Sequence, residues 1–318
     1  MTNKKILFIG GSLNQTTIMH QISVHLSDHD CYFTPFYGDG IIKWMNDKGM
    51  LDFTVMGGNF RRQTDDHMKR HGLKVDYRGS TNNYDLVVTC QDLIVPKNIR
   101  SKRIVLVQEG MTDPENFVYQ IVRHLKLPRY LASTAATGLS HIYSRFCVAS
   151  DGYRELFIRK GVRPESLVVT GIPNFDNVSR YLKNDFPHRN FALVATSDAR
   201  ETFKFDNRMR FIRQAMAHAG GKPLIFKLHP NERYKRAVKE IRKCAPDALI
   251  FQEGDINPMI ANCDILIAQY SSVSYIGLAL GKEVHSYFDR DELKRLLPVQ
   301  NNGKSSRNIA EVCKELLA

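Results

Sequence analysis

The sequence predicts an α/β protein made of two Rossmann-like, doubly wound domains. Three observations carry this. Short apolar runs alternate with amphipathic segments along all 318 residues. The alternation breaks once, at the polar, Pro-containing stretch 183–189 (KNDFPHR). The length suits two domains of roughly 150 residues each. Apolar runs of this kind are what parallel strands buried on both faces look like.

In the first half, residues 4–9 read as a strand ending in Gly10-Gly11-Ser12, with a helix over 16–26. Strands follow at 31–36, 84–89 (YDLVVT) and 103–107 (RIVLV). Residues 114–125 form a helix with Pro114 in its first turn and Asp113 as N-cap. A strand at 145–149, a helix capped by Asp151 and stopped by Gly161, and a strand at 167–170 complete this half. The second half has strands at 190–195, 223–228, 248–251, 264–268 and 283–287. Helices at 207–219, 234–244, 257–262 and 273–280 alternate with them. An amphipathic helix capped by Ser306 closes the chain. Domains are expected at 1–184 and 185–304, with 305–318 a separate terminal helix.

Composition narrows the function classes. With 43% hydrophobic and 25% charged residues, the chain is neither disordered nor fibrous. No apolar run approaches the ~20 residues of a membrane helix, and no secretion signal is read. The six cysteines form no CxxC or CxxH pair, which removes support for zinc or thioredoxin chemistry. Cys90, Cys147 and Cys263 sit in apolar runs as small core residues, and scattered thiols suit the reducing cytoplasm. The net charge of +12, from 45 Lys+Arg against 33 Asp+Glu, favours anionic partners. These are nucleic acid, an anionic membrane face or phosphorylated substrates. Nucleic acid is set aside, because the basic residues are spread and no helix-turn-helix, zinc or RNP-like pattern accompanies them.

Ligands of doubly wound sheets bind at the carboxyl ends of strands, so chemistry is sought in the loops that follow them. Two such domains facing each other would put the site in a cleft. Gly10, Gly11 and Ser12 form one loop, where glycines permit close backbone approach. Gln108-Glu109-Gly110 follows RIVLV, and Glu109 is placed to act as a general base, with Asp113 and Asp151 as second choices. Gly171, Pro173 and Asn174 line a further loop. In the second half, Thr196 and Ser197 follow the first strand and suit a phosphate. Lys227 and His229, in KLHPNE, stand two residues apart as a cationic donor pair for a departing phosphate. Gln269, Tyr270, Ser271 and Ser272 follow DILIA, the two serines offering an anion cradle at a helix start. No DxD-type motif stands at a strand end, so no metal is expected and these donors take its place.

This arrangement resembles the GT-B glycosyltransferases. LIFKLHPNE (224–232) followed by DILIAQYSSVSYIGLALGK (264–282) is similar to the nucleotide half of bacterial sialyltransferases, Kdo transferases and CDP-glycerol transferases. In those groups the HP histidine contacts donor phosphate with the SS hydroxyls beside it, which carries over to His229, Ser271 and Ser272. The resemblance implies a metal-independent transferase of bacterial surface polysaccharide or glycolipid synthesis, with the terminal helix crossing back onto the first domain. Its co-substrate would be a nucleotide sugar, a CMP-sugar being favoured, and no resident cofactor is needed. Its acceptor would be a saccharide or lipid-linked saccharide. A cytoplasmic protein touching the inner, anionic membrane face is expected. The sialyltransferase acidic-acidic-Gly motif reads Gln108-Glu109-Gly110 here, with one acid.

The chain also resembles the UDP-N-acetylglucosamine 2-epimerase superfamily. Residues 107–113 are similar to its VEAGLR segment, with Glu109 on the catalytic Glu, and 141–176 to the end of its first half. Its GHRREN segment appears as 195–202 (ATSDARET), without the His, and no Glu follows Ser271-Ser272-Val273 where the family has SGG and a Glu. Epimerisation is therefore the alternative reading.

Overall fold

The structure, a computed structural model, describes residues 3–201 and 205–318. Thr202, the last residue of the 195–202 segment, lies outside them. The chain divides into two units, Met1–Asp176 with Asn301–Ala318, and Asn177–Gln300. The polar stretch 183–189 thus falls inside the second unit, a few residues after the chain has entered it.

The first unit holds strands β1 (Lys5–Ile9), β2 (Asp30–Thr34), β3 (Leu86–Thr89), β4 (Arg103–Val107), β5 (Arg145–Val148) and β6 (Leu167–Val169). All pair in parallel in the order β2-β1-β3-β4-β5-β6. Its helices are α1 (Leu13–Ser23), α2 (Gly40–Asp47), α3 (Gly58–Arg70), α4 (Phe117–His124) and α5 (Asp151–Lys160). Ile6, Leu7, Phe8 and Leu86 to Val88 are buried, as strands covered on both faces require.

The second unit holds β7 (Ala192–Ala195), β8 (Leu224–Lys227), β9 (Leu249–Phe251), β10 (Ile265–Ala268) and β11 (Glu283–His285). They form a parallel sheet in the order β11-β10-β7-β8-β9. Around it lie α6 (Arg208–Ala219), α7 (Tyr234–Cys244), α8 (Ile256–Asn262), α9 (Val273–Ala279) and α10 (Arg290–Arg295). The expected α/β class with two parallel, doubly wound sheets is what the chain forms.

The last helix, α11 (Ser305–Leu317), belongs to the first unit. Its Ile309, Ala310, Val312 and Cys313 share a core with Ile18, Met19 and Ile22 of α1. Asp176 accepts from the Ser305 backbone N–H at 2.8 Å, satisfying one orphan donor of the helix start. Ser306, the expected cap, instead lies in the first turn, 3.2 Å from His25 Nε2. Two other caps also shift. Asn116, not Asp113, caps α4, and Ser150, not Asp151, caps α5. Both replacements have the extended backbone a cap needs, with a side-chain oxygen accepting three residues on.

All six cysteines are free. Cys90, Cys147 and Cys263 are buried, and burial pushes the Cys147 and Cys263 thiols up to about 12, so they pack rather than react. Among the described residues no helix is long and apolar enough to cross a membrane.

Candidate functional site

In the second unit, strand register brings three loops to one level. Ala268, Ala195 and Lys227 lie side by side at the carboxyl ends of β10, β7 and β8. The strand order reverses between β7 and β10, and such a reversal is where open α/β sheets bind ligands. Ser197 Oγ donates to Gln269 Oε1 across it at 2.8 Å. The Gln269 amide in turn donates to Asp206 at 2.8 Å, so Gln269 is a buried brace.

Below this rim lies a charged network that the sequence did not announce. Glu232 is buried and pairs with Arg208 at 3.1 Å, and Arg208 also binds Asp206 at 2.8 Å. Thr196 Oγ1 donates to Glu232, and the His229 backbone N–H points at both Thr196 Oγ1 and Glu232 Oε2 at 3.3 Å. Burial pushes the Glu232 carboxyl above its ordinary value, against the pull of Arg208 and the Thr196 hydrogen bond. The Thr196 hydroxyl is therefore engaged in holding the HPNE turn.

His229 stands outward, with 39% of its side chain exposed. Its Nδ1 accepts from the Asn231 backbone N–H at 3.2 Å. With Nδ1 accepting, the ring proton sits on Nε2, so His229 offers an N–H donor there. The Asp198 carboxylate lies 3.6 Å from Nδ1.

Lys227 corrects the expectation of a cationic pair. It is 5% exposed, and its ammonium donates to the main-chain oxygens of Gln252 at 2.6 Å and Leu228 at 3.3 Å. At the buried end of β8 it ties that strand to the β9 exit, and burial lowers its pKa.

Ser271 and Ser272 precede α9 and are half-buried. Ser271 Oγ accepts from the Val273 N–H at 3.5 Å, a long contact, and the Ser272 hydroxyl has no hydrogen-bond partner among the described residues. N-capping thus accounts for at most one of the two. Tyr270 beside them is 61% exposed and meets Tyr287 and Phe288 edge-on at 5.5 and 5.0 Å.

In the first unit, three of the expected loops meet at Glu109. Ser12 Oγ and Asn14 Nδ2 donate to its Oε1 at 3.2 and 3.0 Å, and Gln15 Nε2 to its Oε2 at 2.5 Å. Asn174 donates to its backbone oxygen at 3.1 Å. Ser12 and Gln15 form a capping box at the start of α1, whose S-x-x-Q spacing is legible in the sequence. The Gly10-Gly11 loop leaves no cradle open: a Cβ on Gly11 would lie 1.7 Å from Gln15 Oε1. Gly171, at φ +72, turns the chain after β6 toward buried Pro173 and then Asn174. Gln108, where an acid was sought, is buried and joins β4 to the β5 exit by accepting from Ala149 N at 2.9 Å. Asp113 exchanges hydrogen bonds with Thr134, each at 2.8 Å, and takes no part in the Glu109 cluster. Asp151 is exposed on the first turn of α5.

No family model and no curated protein matches the chain. Solved structures do. A UDP-N-acetylglucosamine 2-epimerase aligns with a TM-score of 0.58 at 13% identity, over 98% of this chain and 96% of its own. The UDP-GlcNAc 2-epimerase of Neisseria meningitidis, bound to UDP-GlcNAc, aligns with a TM-score of 0.59 at 11% identity, over 98% and 100%. The wall teichoic acid polymerase TagF aligns with a TM-score of 0.50 at 11% identity, over 99% and 89%. At these identities the likeness is one of fold. The chain has the GT-B-like architecture of two parallel-sheet Rossmann-like domains.

Proposed function

We propose that this chain is a metal-independent glycosyltransferase that uses a nucleotide-activated sugar in the synthesis of a bacterial surface polysaccharide or glycolipid. The observation that carries this reading is the rim of the second unit. There the uncommitted Ser272 hydroxyl stands on the loop after β10, at the strand-order reversal, and an outward His229 N–H on the loop after β8, one strand beyond β7. Ring N–H and helix-start hydroxyl donors of this kind suit a phosphate whose charge grows as a sugar departs. His229, Ser271 and Ser272 bind that phosphate, Tyr270 offers a face to the base, and Thr196, Gln269 and Glu232 hold the loops. Glu109 is the candidate base for the acceptor hydroxyl; its three donors leave a lone pair on Oε2 to take the proton. A CMP-linked donor is the first choice, from the HP and SS pairs.

Exposed apolar side chains on the first unit support a lipid-linked acceptor or an anionic membrane face as partner. Ile41 and Trp44 of α2 and Phe117 of α4 are 76, 57 and 77% exposed, with Lys43 and Arg123 on the same helices.

Epimerisation or hydrolysis of a nucleotide sugar is the second reading. The aligned epimerases favour it, and the missing His of 195–202 speaks against it. A thermal-shift screen of CMP, CDP, UDP, GDP and their sugars identifies the donor, since a ligand at 100 times its Kd adds about 2.7 kcal/mol. Product analysis with donor alone then separates the readings. An epimer or free sugar formed without acceptor overturns the transferase.

A further inference from the structure

Three imidazoles from two helices meet in the first unit. His20 lies on α1, His67 on α3, and His71 directly follows α3, four residues after His67. One nitrogen of each lies within 4.8 Å of the other two. We propose that His20, His67 and His71 form a binding site for a divalent transition-metal ion, Zn²⁺ foremost, which cross-braces α1 and α3.

Geometry comes first. Two nitrogens bound to one tetrahedral ion at ordinary Zn–N lengths stand about 3.3 Å apart. His20 Nδ1 and His67 Nε2 are already at 3.1 Å. The His71 ring, exposed at the helix end, has its centroid 4.8 Å from that of His20 and 4.4 Å from that of His67, and a turn of this side chain would close the remaining gap. The chemistry follows. Three imidazoles and no carboxylate select zinc, copper, nickel or cobalt over magnesium or calcium, which require oxygen. The neutral ring is the form that binds metal.

The ion would act on the Glu109 loop through packing. One turn nearer the start of α1, Thr16 and Thr64 hydroxyls meet at 3.0 Å, and Thr64 donates to the Gly11 carbonyl at 2.6 Å. Clamping His20 to His67 fixes this seam and with it the loop bearing Ser12. Binding of the ion does not depend on the transferase reading.

The test uses the full chain stripped of metal and titrated with Zn²⁺ by calorimetry and thermal shift. One ion per chain should bind saturably and raise Tm, and Mg²⁺ or Ca²⁺ should do neither. His71→Gln, at an exposed position, should weaken Zn²⁺ binding by at least about tenfold, the lower bound for losing even a group that supports a ligand. His67→Gln should do the same where it folds. Co²⁺ should give the visible bands of a tetrahedral site in the wild type and lose them in H71Q. His285→Gln, which breaks the stacked His218–His285 pair of the second unit, should change nothing. Binding that survives H71Q unchanged, binding lost in H285Q instead, or no saturable binding overturns the proposal.

Discussion

Gln15 Nε2 and Glu109 Oε2 are joined by a 2.5 Å hydrogen bond that ties the start of α1 to the end of β4. Gln15 Oε1 accepts from the Ser12 N–H at 3.2 Å, which orients the amide with its donor toward the carboxylate. The two oxygens of Glu109 therefore face donors only.

Glu109→Gln consequently changes more than basicity. Either amide orientation sets an NH₂ against Gln15, or against Ser12 and Asn14. Sugar transfer should fall by about 10²–10⁴, the range of general-base catalysis. Stability should fall by about 1–3 kcal/mol, as expected for mismatched polar partners. Nucleotide affinity should stay within a few-fold, because the donor residues are assigned to the other unit. Transfer at a near wild-type rate eliminates Glu109 as the base.

His229→Ala should lower donor turnover by about 10²–10³ with Tm nearly unchanged. The ring is part-exposed, and the exposed Asn231 N–H it leaves can bind water. Turnover within a few-fold of wild type would sink the leaving-group role.

The double variant Ser271→Ala, Ser272→Ala should weaken nucleotide binding more than nucleoside binding. The Ser272 hydroxyl caps nothing, so its loss should cost α9 little. Calorimetry with paired nucleoside and nucleotide reads the difference, and an equal loss for both assigns the serines to the base or the fold.

Lys227→Met tests the correction made by burial. The Gln252 and Leu228 oxygens lose their donor, which should cost about 1–3 kcal/mol while nucleotide affinity stays within a few-fold. The lysine's folded pKa lies below its ordinary 10.5, so the unfolded chain holds the extra proton in the window just below that value. Stability from this group therefore rises with pH across that window. Denaturation from pH 8 to 10.5 should show a more positive slope for wild type than for K227M. A strong loss of nucleotide affinity would restore Lys227 to the phosphate site.

Much of the fold was legible because strand burial writes itself as local apolar runs. RIVLV is β4 residue for residue, and 234–244 is α7. Three helices, α2, α3 and the six-residue α10, went unread. Along α3 only Thr64, His67 and Met68 are buried, so it shows little apolar stripe, while α2 is eight residues long and its apolar Ile41 and Trp44 are exposed rather than packed. Caps slipped by one to three residues, since a cap is defined by the backbone angles of the residue that makes it.

The sequence by itself determined the order of strands and helices, the two parallel sheets and the loops at whose ends polar residues gather. Hydrophobic periodicity is local, and a few adjacent residues suffice to express it. Only the tertiary structure decided which polar atoms meet. Gln15 reaches Glu109 across 94 positions, Lys227 turns to a carbonyl 25 positions on, and His20 meets His67 across 47. A buried polar group takes whichever partner the packing of distant elements brings within 3 Å or so, and no short motif records that choice.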